Sequence, residues 1–211
     1  MSANRNIYIV GLTGGIASGK SEAAKFLENL GAHCIDADAI SHFLTGEGGP
    51  LLTDIRAVFG DAVFCKDGML DRRALAEIVF NNEEARRMLD GITHPSIQKA
   101  MLDEVEDAEE NGEKLVFLNV PLLFETGMDA LCDETWLINT DPDLQLSRLM
   151  QRDDLDEMQA LSRVRSQMSA EEKQERADLV IDNNKNLEKM LNELQGHYNA
   201  LLKRLNKLDN E

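Results

Sequence analysis

Residues 10–32 read VGLTGGIASGKSEAAKFLENLGA. Gly14, four intervening residues, Gly19, Lys20 and Ser21 fit G-x-x-x-x-G-K-[ST], the spacing of a loop that cradles phosphates. Backbone N–H groups from Gly15 to Glu22, including Ala17, Ser18 and Gly19, are expected to point inward around an anion. The positive end of the following helix adds to the attraction. Lys20 is placed to reach the outer phosphates, and the Ser21 hydroxyl to hold Mg²⁺. The alternative, a glycine-rich turn matching by chance, is weakened by context. NIYIVGL before the loop is apolar and β-rich, and SEAAKFLENLGA after it has helical periodicity ending at Gly31.

Further residues could do chemistry at such a site. In IDADAISH, Asp36 and Asp38 alternate along a segment read as extended, which places both carboxylates on one face. One can orient an acceptor hydroxyl and take its proton, while the other helps place Mg²⁺ or caps the next helix. Arg148 and Arg152 lie four apart and share a helix face, so both can aim at one phosphate. Planar guanidinium donors suit the charge that spreads over a phosphoryl group in transfer. The competing account of this pair is a surface pairing with acids such as Asp153. Arg72 and Arg73 suit an anionic substrate, but a solvated helix face accounts for them equally well. His94, before Pro95, is a lone histidine that can be structural or a substrate contact.

The elements that must position these residues alternate along the chain. AHCIDAD reads as a second strand, KLVFLNVPLLFE and DETWLINT as further strands, and DLVIDNN as the last. Residues 39–111 are mostly helical, interrupted by TGEGGP and CKDGML. LDEVEDAEENGEK is read as a solvated helix face. LQLSRLMQRDDLDEMQALSRVRSQMSAEEKQERA is a charged helical stretch. After the last strand, Leu187, Leu191, Leu194, Tyr198, Leu201, Leu205 and Leu208 form a stripe read as core packing, too short for a partner zipper. Strands alternating with helices predict an α/β fold with a parallel sheet covered on both faces.

Composition narrows the classes. The 211 residues, 43% hydrophobic and 29% charged, suit one soluble domain with insertions. A net charge of −17 argues against nucleic-acid partners and acidic membranes. Three cysteines, Cys34, Cys65 and Cys132, form no C-x-x-C pair and read as free thiols. No apolar run reaches spanning length, and MSANRN is no signal peptide, so a cytoplasmic location is expected. NNKNLE lacks the aspartate of the guanine-reading N-K-x-D of GTP switches. VPLLFE lacks the acid that directly follows the strand in motor ATPases. The remaining P-loop class is the small-molecule kinases, which set an acceptor site beyond the second strand and an arginine-rich helical lid over the phosphates.

Seven stretches in order resemble the dephospho-CoA kinase family over nearly the whole chain. They are GLTGGIASGKS, IDADAISH, FGDAVFCKDGMLDRRALAEIVF, HPSI, VPLLFE, QLSRLMQRD and ADLVIDNN. The resemblance implies that ATP phosphorylates the 3′-hydroxyl of the ribose of dephospho-CoA, the last step of coenzyme A biosynthesis, giving CoA and ADP. It implies a three-layer P-loop fold with a core (1–38, 112–147 and 177–211), a helical CoA-binding segment (39–111) and a helical lid (148–176). By the same resemblance Asp38 is the catalytic acid, with Lys20, Arg148 and Arg152 completing the catalytic set. Arg73 and His94 join Asp38 as substrate contacts, and Asn183 borders the adenine. The sequence departs from the family pattern twice. Glu22 stands where threonine or a small residue is usual, so its carboxylate must point away from the nucleotide. Lys185 stands where glycine is usual, which puts the detail of the adenine contact at Asn183 in question. A monomer is the expected state, a weak homo-oligomer the alternative. The rival readings are another small P-loop kinase, acting on a nucleoside monophosphate or a metabolite hydroxyl, and a P-loop protein that binds ATP without transferring phosphate.

Overall fold

The segment YIVGLTG has no polar side chain except threonine and tyrosine, and it becomes β1 (Tyr8–Gly14), buried on both faces along almost its whole length. A computed structural model of the chain describes residues 5–208. It places β1 at the centre of a five-stranded sheet with β2 (His33–Asp36), β3 (Leu115–Asn119), β4 (Glu134–Asn139) and β5 (Leu179–Asp182), in the order β2-β3-β1-β4-β5. β1 runs parallel to both β3 and β4, and β4 parallel to β5. Central parallel strands buried on both sides read as continuous apolar runs, which is the pattern of β1 and β3.

α1 (Lys20–Asn29) buries Ala23, Ala24 and Leu27 and ends at Gly31, whose φ of 91° lets the chain turn back into β2. α9 (Leu187–Leu208) packs on the same side of the sheet. Met190, Leu194, Tyr198 and Leu201 join Val10, Phe117, Trp136 and Ile181 in one apolar core. Phe117 and Trp136 meet edge to face with centroids 5.3 Å apart. The leucine stripe is therefore core packing over its middle. Leu187 at its start is 45% exposed, because only from Met190 onward does the helix lie on the sheet. The side chain of Leu208 lies outside the described residues.

The chain divides into two compact units. One comprises the residues up to Ile35 and those from Val105 onward; it contains the core just described. The other, Asp36–Glu104, is helical: α2 (Ala37–Leu44), α3 (Leu52–Phe59), α4 (Arg72–Asn81) and most of α5 (Glu83–Glu110). Within it the Arg72 guanidinium donates to Thr45 Oγ1 at 2.8 Å, tying α4 to the end of α2. At the end of α5, Val105 and Ala108 are buried and most of the intervening acids exposed, so that charge run is a solvated face.

The charged helical stretch after β4 is divided into three helices: α6 (Pro142–Asp153), α7 (Glu157–Arg165) and α8 (Ala170–Arg176). Asp154, at φ 52°, terminates α6, and reciprocal capping boxes at Asp156–Gln159 and Ser169–Glu172 start the next two. Asp36 and Asp38 do not alternate along one strand. The Asp36 carboxylate accepts the N–H groups of Asp38 and Ala39, which turns the chain helical at Ala37 and puts Asp38 in the first turn of α2.

Candidate active site

The glycine loop leaves the carboxyl end of the central strand and enters α1 through two residues in the left-handed region, Ala17 at φ 58° and Gly19 at φ 93°. Such reversals turn successive amides toward one concavity and make an anion-binding nest. Space also favours glycine at two positions of the loop. A Cβ on Gly14 would lie 2.9 Å from the Ile138 carbonyl oxygen, and one on Gly19 would collide with Asn183 Nδ2. Gly19→Ala therefore carries both a left-handed backbone penalty of about 1–2 kcal/mol and a steric clash. We expect it to lower ATP affinity at least tenfold in a calorimetric titration, with a clear loss of Tm.

Not every amide of the loop faces the concavity. The Ser18 N–H donates to the Gly15 carbonyl at 3.0 Å, and the Ile16 N–H to Gln167 Oε1 at 2.8 Å. The expectation that all amides from Gly15 to Glu22 point inward is thus corrected for Ile16 and Ser18. Ser18 is almost fully buried, and its carbonyl accepts two hydrogen bonds, from Asn183 Nδ2 at 2.7 Å and Thr140 Oγ1 at 3.1 Å. Arg148 completes this support. Its guanidinium donates to the Asn183 carbonyl at 3.1 Å and lies 3.5 Å from Thr140 Oγ1. Arg148, Asn183, Thr140 and the P-loop are therefore one hydrogen-bonded assembly. Asn183, expected beside the adenine, here holds the loop through its amide nitrogen.

Lys20 opens α1, and its ammonium donates to Asn119 Oδ1 at 2.5 Å. Asn119 ends β3 and Gly14 ends β1, so this cation stands at the carboxyl edge of the two central strands, where open α/β sheets bind ligands. Ser21 and Glu22 are exposed in the first turn of the same helix. Among the described residues no group of three histidine, cysteine or acidic side chains could hold a metal ion. The donor chemistry nevertheless suits Mg²⁺, a hard cation that keeps several waters and takes one or two protein oxygens beside the nucleotide's own phosphates. Ser21 offers such an oxygen.

Arg152, one turn beyond Arg148, is exposed and paired with Asp153 by two hydrogen bonds of 2.8 and 3.2 Å. Arg163 of α7 donates to the same carboxylate at 2.8 Å. These bonds, that from Arg152 foremost, hold the Asp153 carboxyl below its ordinary range. Asp153, with a smaller contribution from the Glu22 carboxylate, raises Arg152 in turn. In this arrangement Arg152 forms the surface pair with Asp153 that was weighed against a lid role.

Asp38, Arg73 and His94 belong to the helical unit. Asp38 is exposed in the first turn of α2. Arg73 is 91% exposed and 3.5 Å from Glu77, and His94 stands 3.5 Å from Asp90 one turn back along α5. The sequence reading missed Asn119, Thr140 and Gln167. Asn119 and Thr140 end or follow strands, a position that flags them, but no pattern marks Gln167.

The chain matches known proteins over most of its length. The family model described as dephospho-CoA kinase matches residues 8–189. The chain belongs to the dephospho-CoA kinase family. It is 43% identical over 179 residues to the Bacillus licheniformis dephospho-CoA kinase, an overlap covering 85% of this chain and 89% of that one. A crystal structure from Thermus thermophilus superposes with a TM-score of 0.80 at 34% identity, covering 95% of this chain and 99% of that one. The dephospho-CoA kinase of Campylobacter jejuni gives 0.71 at 32% identity, covering 92% and 97%. The three-layer P-loop architecture is thus that of the family. Among the described residues no helix is long and apolar enough to cross a membrane.

Proposed function

We infer that the protein is an ATP-dependent kinase that phosphorylates dephospho-CoA to coenzyme A, at the ribose 3′-hydroxyl, with ADP as the second product. The observation that carries this reading is the Lys20 ammonium held by Asn119 at the carboxyl edge of β1 and β3, behind the glycine loop, in a chain of this family. The loop amides receive the phosphates of ATP, and Lys20 neutralises the outer ones. Ser21 would offer its hydroxyl oxygen to Mg²⁺, which when bound would add to the neutralisation of the nucleotide's phosphate charge. Arg148 donates to the transferred group, and Arg152 joins it when released from Asp153, as the α6–α7 part of the 148–176 lid closes while the α7–α8 junction stays in place. Asp38 orients the acceptor hydroxyl and takes its proton. Arg73 and His94 contact the substrate within the CoA-binding helices. The cysteine usage, three residues with no C-x-x-C pair, supports a cytoplasmic setting.

The test is an assay with ATP, Mg²⁺ and a panel of acceptors. We expect dephospho-CoA to exceed AMP and adenosine in kcat/KM by orders of magnitude. A nucleoside monophosphate as the better acceptor would assign the chain to another small-kinase specificity. ATP binding without transfer to any acceptor would make it a binding protein.

A further inference from the structure

The hydrogen bond from Ile16 N–H to Gln167 Oε1 joins the first turn of the P-loop to a residue 151 positions later, in the junction between α7 and α8. That junction is itself pinned. The Gln167 N–H donates to the Val164 carbonyl at 3.2 Å, and Ser169 caps α8 two residues on. Between them the Met168 N–H donates to Glu125 Oε1 at 3.0 Å. The same carboxylate oxygen lies 2.9 Å from the ammonium of Lys173, whose side chain is 1% exposed. Breaking such a buried pair is costly, so the pair fixes the backbone beside Gln167 firmly. Glu125 closes the VPLLFE stretch, to which the phosphate chemistry gives no role.

We propose that Gln167 is a positioning residue for ATP, holding the P-loop in its phosphate-binding form. The inference rests on the kinase reading above. The nest works because its amides are already oriented when the anion arrives, and an untethered Ile16 peptide would have to be ordered on binding. Gln167 supplies the missing acceptor from the protein side, and the Glu125–Lys173 pair keeps that acceptor in place. Nucleotide affinity is thereby coupled to the α7–α8 segment.

The variant Gln167→Met keeps length and loses the acceptor. A cavity of about 400 Å³, lined by Gly15, Gln145, Gln167 and Lys173 among others, gives the new side chain room. We expect the Kd for ATP to rise about 3- to 10-fold, the range of one lost hydrogen bond. The KM for dephospho-CoA at saturating ATP and the Tm should stay close to wild type. In the nucleotide-free protein, amide exchange at Ile16 should accelerate at least tenfold. Gln167→Glu retains an acceptor and should preserve Ile16 protection; exchange is its readout because the added charge acts on the nucleotide directly. Unchanged ATP affinity and Ile16 exchange in Gln167→Met would overturn the proposal. So would loss of protection in both variants, or a fall in Tm with all kinetic constants worsening together. A wild-type protein that binds no ATP would instead overturn the kinase reading, a result visible without any variant.

Discussion

Replacing Asp38 with asparagine is expected to lower kcat by about 10²–10⁴-fold, the range for one acid–base group. The substitution keeps side-chain size and most hydrogen bonding but removes the negative charge and the proton acceptor. Because Asp38 is exposed in the first turn of α2, the change should leave Tm nearly unaltered. ATP affinity should also hold, since the P-loop and Lys20 bind the nucleotide. Asp36 provides the control. Its carboxylate caps α2, and asparagine is as good a cap, so Asp36→Asn should be mild. If Asp36 also supports Mg²⁺, added Mg²⁺ should partly rescue that variant. Normal turnover in Asp38→Asn with a dead Asp36→Asn would exchange the two roles.

Arg148→Ala is expected to lower kcat by about 10²–10³-fold, the loss typical of one donor to developing transition-state charge. Its hydrogen bonds to the Asn183 carbonyl and toward Thr140 add a second, smaller effect. Both partners hold the Ser18 carbonyl, so the ATP Kd should rise a few-fold as well. Arg148→Lys should not restore turnover, because a lysine ammonium cannot serve the phosphoryl group and two protein oxygens with a planar fork. Steady-state kinetics and an ATP titration separate the two effects. Near-normal turnover in Arg148→Ala would leave Arg152 as the donor. In that case Asp153→Asn, which loosens the Arg152 pair, should alter kcat.

The P-loop and the alternation of elements were legible in the sequence because both rest on short-range rules. Glycine spacing sets the loop, and an apolar run sets β1. The capping boxes at Asp156 and Ser169 are written in the sequence as D-x-x-Q and S-x-x-E, but helical composition across the whole stretch masks them. Asp38 was misplaced onto a strand because alternation of acids and capping by Asp36 give the same D-x-D pattern; only the hydrogen bonds from Asp38 N–H and Ala39 N–H separate them. The bonds of Gln167 and Asn183 to the glycine loop lay out of reach for another reason. Their partners, Ile16 and Ser18, are 151 and 165 residues away, and nothing local in either segment encodes the pairing.

The central claim is that the γ-phosphate of ATP passes to one particular hydroxyl of dephospho-CoA. The most direct measurement is phosphorus and proton NMR of the purified product. The account predicts equimolar ADP and a new phosphomonoester coupled to the ribose 3′ proton. A phosphate attached elsewhere on the acceptor, or ADP formed with no phosphorylated acceptor, would contradict it.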